Sequence, residues 1–131
     1  MPDDIAIVRM GQDLLVTLHG ELDDSTARSI EREVTDEVAR TRARGALIDV
    51  SGLAVVDSFV AHVLARLVGM VRLLGAEVTV VGIRPPVAIT LVEMGMSLGP
   101  VNTALNAEQG MARLRRGRAD GGPWGSDGHR G

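Results

Sequence analysis

Cysteine is absent from the 131 residues, which excludes disulfides, thiolate metal ligands and cysteine nucleophiles together. Tyrosine is absent too, and aromatics make up 2% of the chain, Phe59 and Trp124. The core must therefore be aliphatic, and the aromatic stacking platforms of single-strand nucleic-acid readers are missing. Every basic residue is arginine, and the net charge of −3 runs against the clustered cations that phosphate neutralisation needs. No stretch reaches the roughly 20 apolar residues that span a bilayer. The most apolar window, Phe59 to Leu74, is broken by His62, Arg66 and Arg72. Met1-Pro2-Asp3-Asp4 carries no basic leader, so no signal peptide is expected and the expected location is cytoplasmic. Catalytic motifs are missing as well: there is no G-x-S-x-G, P-loop or H-E-x-x-H. His19, His62 and His129 sit in three unrelated contexts without metal-ligand spacing. Ser58 and His62 are one helical turn apart, but no third group or oxyanion donor is placed beside them by sequence. The expectation is a protein that is not an enzyme and needs no metal or cofactor of its own.

What is present is a regular alternation. Two short apolar runs, Ile5–Val8 and Leu14–Leu18, flank Gly11-Gln12-Asp13 and read as a hairpin. Asp23 or Asp24 is the expected N-cap of a helix from Ser25 to Arg44, with Ala27, Ile30, Val34 and Val38 at helical spacing. Gly45 ends it. A buried strand is expected at Ala46–Val50, a second helix from Asp57-Ser58 to about Leu74, and a strand at Glu77–Val81 closed by Gly82. Pro85-Pro86 suits the first turn of a third helix and Gly95 its end. A brief strand around Val101 and a last helix, about Ala107 to Arg116, follow. The pattern predicts an α/β fold with a mixed sheet opened by a hairpin and about four helices packed against it.

Charge is unevenly placed. Five arginines against Asp120 and Asp127 make residues 113–131 +3 and leave −6 on residues 1–112. The arginines from Arg113 to Arg118 suit a helix C-terminus. From Gly117 onward six of fifteen residues are glycine, and beyond Ala119 only Trp124 is apolar. Such a composition buries too little surface to order itself. The expected division is one domain over 1–117 and a disordered Gly-rich tail over 118–131.

The informative segment is Asp49-Val50-Ser51-Gly52-Leu53-Ala54-Val55-Val56-Asp57-Ser58-Phe59. It carries a hydroxyl across a strand–loop to a helix start, where Asp57 or Ser58 is the expected cap. In helical phase, Val60, Val63, Leu64, Leu67, Val71 and Leu74 form the buried stripe. Ser58, His62, Ala65, Arg66, Gly69 and Arg72 share another face, small and mildly basic, which suits the docking of another protein.

These residues resemble the STAS-domain proteins of the anti-sigma factor antagonist superfamily. Asp49-x-Ser51 and Asp57-Ser58 match that family's D-x-S…D-S pattern. General antagonists continue with a small residue and glycine; this chain continues Phe59-Val60, which is similar to the small stressosome scaffold proteins of the RsbS type. Glu21-Leu22-Asp23-Asp24, the run from Gly82 to Gly95 and the run from Thr103 to Met111 fit the same group. The resemblance covers Leu14 to Arg116 and implies a single STAS domain.

It further implies a non-catalytic regulatory scaffold that sequesters a serine/threonine switch kinase and releases it once Ser58 is phosphorylated, in a stress-response or sigma-factor pathway. The implied partners are that kinase, which brings its own ATP and Mg²⁺, sensor-bearing STAS paralogues in a large assembly, and a resetting phosphatase. A homodimer or higher oligomer is implied; nucleic acid and membrane are not. Thr90 matches a threonine phosphorylated in the sensor-bearing paralogues and is the secondary site. Asp23, Asp24, Asp57, Phe59, His62, Arg66 and Arg84 are the partner-binding candidates. Two other readings stay open: a simple antagonist that binds an anti-sigma kinase directly, and a small-ligand-sensing STAS module.

Overall fold

The computed structural model describes residues 4–85, 88–89, 93, 102–104, 108–112 and 114. Strands β1 (Ile5–Met10) and β2 (Asp13–Gly20) form the hairpin, turning at Gly11, whose φ of 65° is one that glycine adopts without strain. Helix α1 (Asp24–Thr41), strand β3 (Gly45–Leu53), helix α2 (Ser58–Leu73), and strands β4 (Glu77–Val81) and β5 (Asn102–Ala104) follow. Further helical backbone occurs at Pro85, Ala88, Ile89 and Glu93 and at Glu108–Ala112 and Leu114. The segments expected as the third and fourth helices therefore lie partly outside the described residues, as does everything beyond Leu114.

The sheet order is β1-β2-β3-β4-β5. The β1–β2 pair is antiparallel, with Ile5 opposite Leu18 and Met10 opposite Asp13. All later pairs are parallel, so the sheet is mixed, as the alternation predicts. Between consecutive parallel strands the chain must cross back. α1 and α2 make the first two crossings, which puts both helix N-termini at the end of the sheet where the parallel strands finish.

One face of the sheet is covered by α1 and α2. Ala27, Ile30, Val34 and Val38 of α1 are buried against Leu14, Val16, Ile48, Val78 and Val80 in one cluster. α2 contributes Val60, Val63, Leu64, Leu67 and Val71 to it, together with Val68. Full burial of each such side chain stabilises by about 1.5–3 kcal/mol. Leu74 departs from the expected stripe. It follows the last residue of α2 and is 47% exposed, because the chain turns away there toward β4. On the opposite face Leu47, Val81 and Leu114 form a smaller cluster with Leu15 and Met111. Gly110 lies so close that an added Cβ would be 2.6 Å from Leu47 Cδ2. β3 is thus covered on both sides, and its apolar run Ala46–Ile48 is wholly buried.

Two boundaries differ from the sequence expectation. α1 stops at Thr41 rather than Arg44, because Arg42 takes a left-handed conformation (φ 53°) and its N–H donates to the Val38 carbonyl. β3 runs on past Val50 to Leu53 because β2 still pairs with it beyond a register shift, His19 with Gly52 and Gly20 with Leu53.

Candidate functional site

The loop between β3 and α2 delivers Ser58. Asp57, in extended conformation, is the N-cap, and its Oδ1 accepts from the Val60 N–H at 3.0 Å. Ser58 is the first residue of the helix, exposed, and its hydroxyl makes no hydrogen bond among the described residues. The choice between Asp57 and Ser58 as cap is thereby decided for Asp57. Capping and presentation are divided between neighbours, which leaves the hydroxyl free for chemistry.

Upstream, the loop leaves the sheet through a fixed base. Asp49 Oδ1 accepts from the Ser51 N–H at 2.9 Å and from the Ser51 hydroxyl at 2.7 Å. Gly82, at φ 80°, passes so near that a Cβ there would lie 2.7 Å from Ser51 Cβ and 3.0 Å from Asp49 Oδ1. The Ala54 N–H donates to the Gly20 carbonyl at 3.0 Å. Arg84, beyond β4, donates from Nη2 to the Leu53 carbonyl at 3.2 Å. Strands β2, β3 and β4 therefore all fix the residues just before Ser58. The pairing of Asp49 with Ser51 carries no hydrophobic periodicity; its sequence signal is the D-x-S motif itself.

The structure brings Asp23, Asp24, Asp57, Ser58 and Arg84 to one end of the sheet. Asp23 caps α1 as Asp57 caps α2, its Oδ1 accepting from the Thr26 N–H at 2.7 Å. The hydrogen bonds from Thr26 hold the Asp23 carboxyl below the usual carboxylate range. Phe59 is half-buried and packs against the main core, so it anchors the first turn of α2 rather than standing free. His62 is exposed and its Nδ1 lies 2.7 Å from the Ser58 carbonyl, folding the ring back over the first turn. Arg66 is separate from this group. It sits two turns along α2 and joins Glu31 of α1 at 2.9 Å; that contact raises its pKa through the hydrogen bond and the charge of Glu31. Glu31 was not singled out by sequence, since its helical phase marks it as exposed and its partner lies 35 residues away. Thr90 lies outside the described residues. Among the described residues no group of three His, Cys, Asp or Glu is placed to hold a metal ion, and no helix is long and apolar enough to cross a membrane.

The sheet is thus opened by a hairpin and crossed by two aspartate-capped helices, with exposed Ser58 directly after the second cap. The STAS domain family model matches residues 4–108, and the chain belongs to that family. RsbRA, an RsbT co-antagonist protein of Bacillus subtilis, is 35% identical over 97 residues, which are 74% of this chain and 35% of that protein. RsbRC, another RsbT co-antagonist of Bacillus subtilis, is 39% identical over 83 residues, 63% of this chain and 29% of that one. The chain thus spans about a third of the length of these RsbT co-antagonist relatives. Among solved structures, the S58E form of RsbS from Moorella thermoacetica is similar at 34% identity and a TM-score of 0.76, covering 86% of this chain and 95% of that one. The likeness to the RsbS-type stressosome scaffold is carried by this match, and its relatives include stressosome components.

Proposed function

We propose that this chain is a non-catalytic scaffold of a stressosome-like complex. It holds a serine/threonine switch kinase and releases it when the kinase phosphorylates Ser58. The single observation that carries the reading is the separation of roles at the α2 N-terminus: Asp57 accepts the capping hydrogen bond while Ser58 stands exposed beside it. The γ-phosphoryl group of ATP passes to the Ser58 Oγ, whose proton is lost, and ADP leaves with the kinase; ATP and Mg²⁺ belong to that partner. The new group adds about −1.5 to −2 charges. First-turn N–H groups and the helix dipole tolerate it, so the domain keeps its fold. Asp57, Asp23 and Asp24 lie at the same end, so phosphorylation makes that surface strongly negative and repels a partner seated there.

The relatives named as RsbT co-antagonists and the likeness to RsbS support this kind of partner. The same proposal includes sensor-bearing STAS paralogues in a large cytoplasmic assembly, a phosphatase that resets Ser58, and the division into a domain over 1–117 and a tail over 118–131. Phosphosite mapping after incubation with the cognate kinase and MgATP tests it. The expected phosphate is on Ser58, and Ser58→Ala is expected to bind the kinase and retain it. A phosphate confined to Thr90 or elsewhere, with Ser58→Ala releasing the kinase as the parent does, would sink the switch.

A further inference from the structure

The ionisable side chains of α2 are His62, Arg66 and Arg72, and the helix carries no carboxylate. Two of them are accounted for. Arg72 lies in the last turn, where the helix dipole favours a cation, and Arg66 is held by Glu31 of α1 at 2.9 Å. His62 has neither explanation. It is exposed and sits toward the N-terminal end of the helix, where the dipole opposes a positive charge. Its Nδ1 lies 2.7 Å from the Ser58 carbonyl oxygen. A carbonyl only accepts, so Nδ1 carries the ring hydrogen in this contact, and the neutral imidazole presents a bare Nε2. The ring is folded back along the helix toward the residue four positions earlier, the one with the exposed hydroxyl.

Positions i and i+4 are neighbours on a helix surface, and an anion N-terminal to a cation is the favourable order. Unmodified Ser58 offers His62 no anion. A phosphate there does. The other charged groups around the pair are engaged or cancel in sign. Asp57 Oδ1 accepts from the Val60 N–H. On α1, Asp23 accepts from the Thr26 N–H, Glu31 ties Arg66, and exposed Asp24 and Arg28 bear one charge of each sign. On the strand side, Asp49 is bound to Ser51 and Arg84 to the Leu53 carbonyl. We infer that His62 is the counter-ion of a phosphate on Ser58: its Nε2 takes up a proton, and the imidazolium pairs with the phosphate dianion. The pair rests on phosphorylation of Ser58 as proposed above and makes His62 a regulator of that site. Where the ring starts neutral, the proton comes from water, and the modification adds about one net negative charge instead of about two. In more alkaline solution the imidazolium loses that proton, so the charge step that acts on the partner grows with pH.

The test uses the full chain with phosphoserine incorporated at position 58 during translation, titrated by phosphorus NMR. An exposed phosphoserine loses its second proton at about pH 6. The midpoint in the parent should lie below that in His62→Ala by about 0.3 pH unit or more, the size expected of an exposed i,i+4 charge pair. His62→Lys, which keeps a cation at that position, should hold the midpoint at or below the parent's. Arg66→Gln should leave it unchanged, and far-UV circular dichroism should be the same in every variant. A midpoint that His62→Ala does not move overturns the inference, as does one that Arg66→Gln moves as far as His62→Ala does. The phosphate is installed without a kinase, so the result does not depend on which residue the kinase chooses, and phosphosite mapping does not depend on His62.

Discussion

The division of labour between Asp57 and Ser58 can be measured as a difference in stability. Asp57→Ala removes the carboxylate that accepts from Val60 N–H, and loss of such a cap costs about 1 kcal/mol. Against an m-value of about 1–2 kcal/mol/M, the urea midpoint should fall by about 0.5–1 M; in a thermal scan the transition should fall by roughly 3–5 °C. Ser58→Ala removes a hydroxyl with no hydrogen bond among the described residues and introduces a better helix former. Its urea midpoint should match the parent's or rise slightly. Ser58→Asp places one charge in the first turn, favourable to the dipole by about 0.3–1 kcal/mol and opposed by Asp57 next to it, so its net effect on stability should be close to zero. The assay is equilibrium urea unfolding of the three variants beside the parent, followed by far-UV circular dichroism. If Ser58→Ala loses as much as Asp57→Ala, the serine is part of the cap. Its modification would then act by disturbing the helix rather than by changing a surface.

Gly82→Ala should be destabilising by about 1–3 kcal/mol, since its φ of 80° disfavours any side chain and a Cβ would press on Ser51 and Asp49; thermal unfolding reads this, and an unchanged midpoint would contradict the close approach. The depressed pKa of Asp23 makes its contribution to stability fully present above the ordinary carboxylate range. That contribution is lost as pH falls through the lower folded value. The Asp23 carboxyl should therefore titrate below the ordinary aspartate range by NMR, and in Thr26→Pro, which removes the donor N–H, it should return to that range.

Much of this fold is readable from the chain because propensity and burial agree. β4 lies at Glu77–Val81 as its β-branched run requires, and the four apolar positions of α1 all turn inward. The places that were not readable are those where a distant strand or an unusual backbone decides. Ser51 and Gly52 have the composition of a turn, yet they remain in β3 because β2 offers partners to Leu53. Arg42 ends α1 in a conformation for which glycine or asparagine is the usual signal. In the candidate site, the acids and the serine were legible as caps. The reach of Arg84 to the Leu53 carbonyl and of Arg66 to the Glu31 carboxylate was not, since each joins groups more than thirty residues apart. The same two arginines, marked by sequence as partner-binding candidates, already have partners within the chain.

The order of strands in the sheet repeats their order in the chain. No strand has to be inserted between two that have already met, so assembly can proceed from the hairpin onward, each new strand docking on the last edge formed. The reverse path is equally simple. Among the described residues β5 is joined to the sheet through β4, over three residue pairs from Thr79–Asn102 to Val81–Ala104, and it can detach without breaking any contact between the first four strands. Amide protons should accordingly exchange slowest in β2 and β3 and fastest in β5.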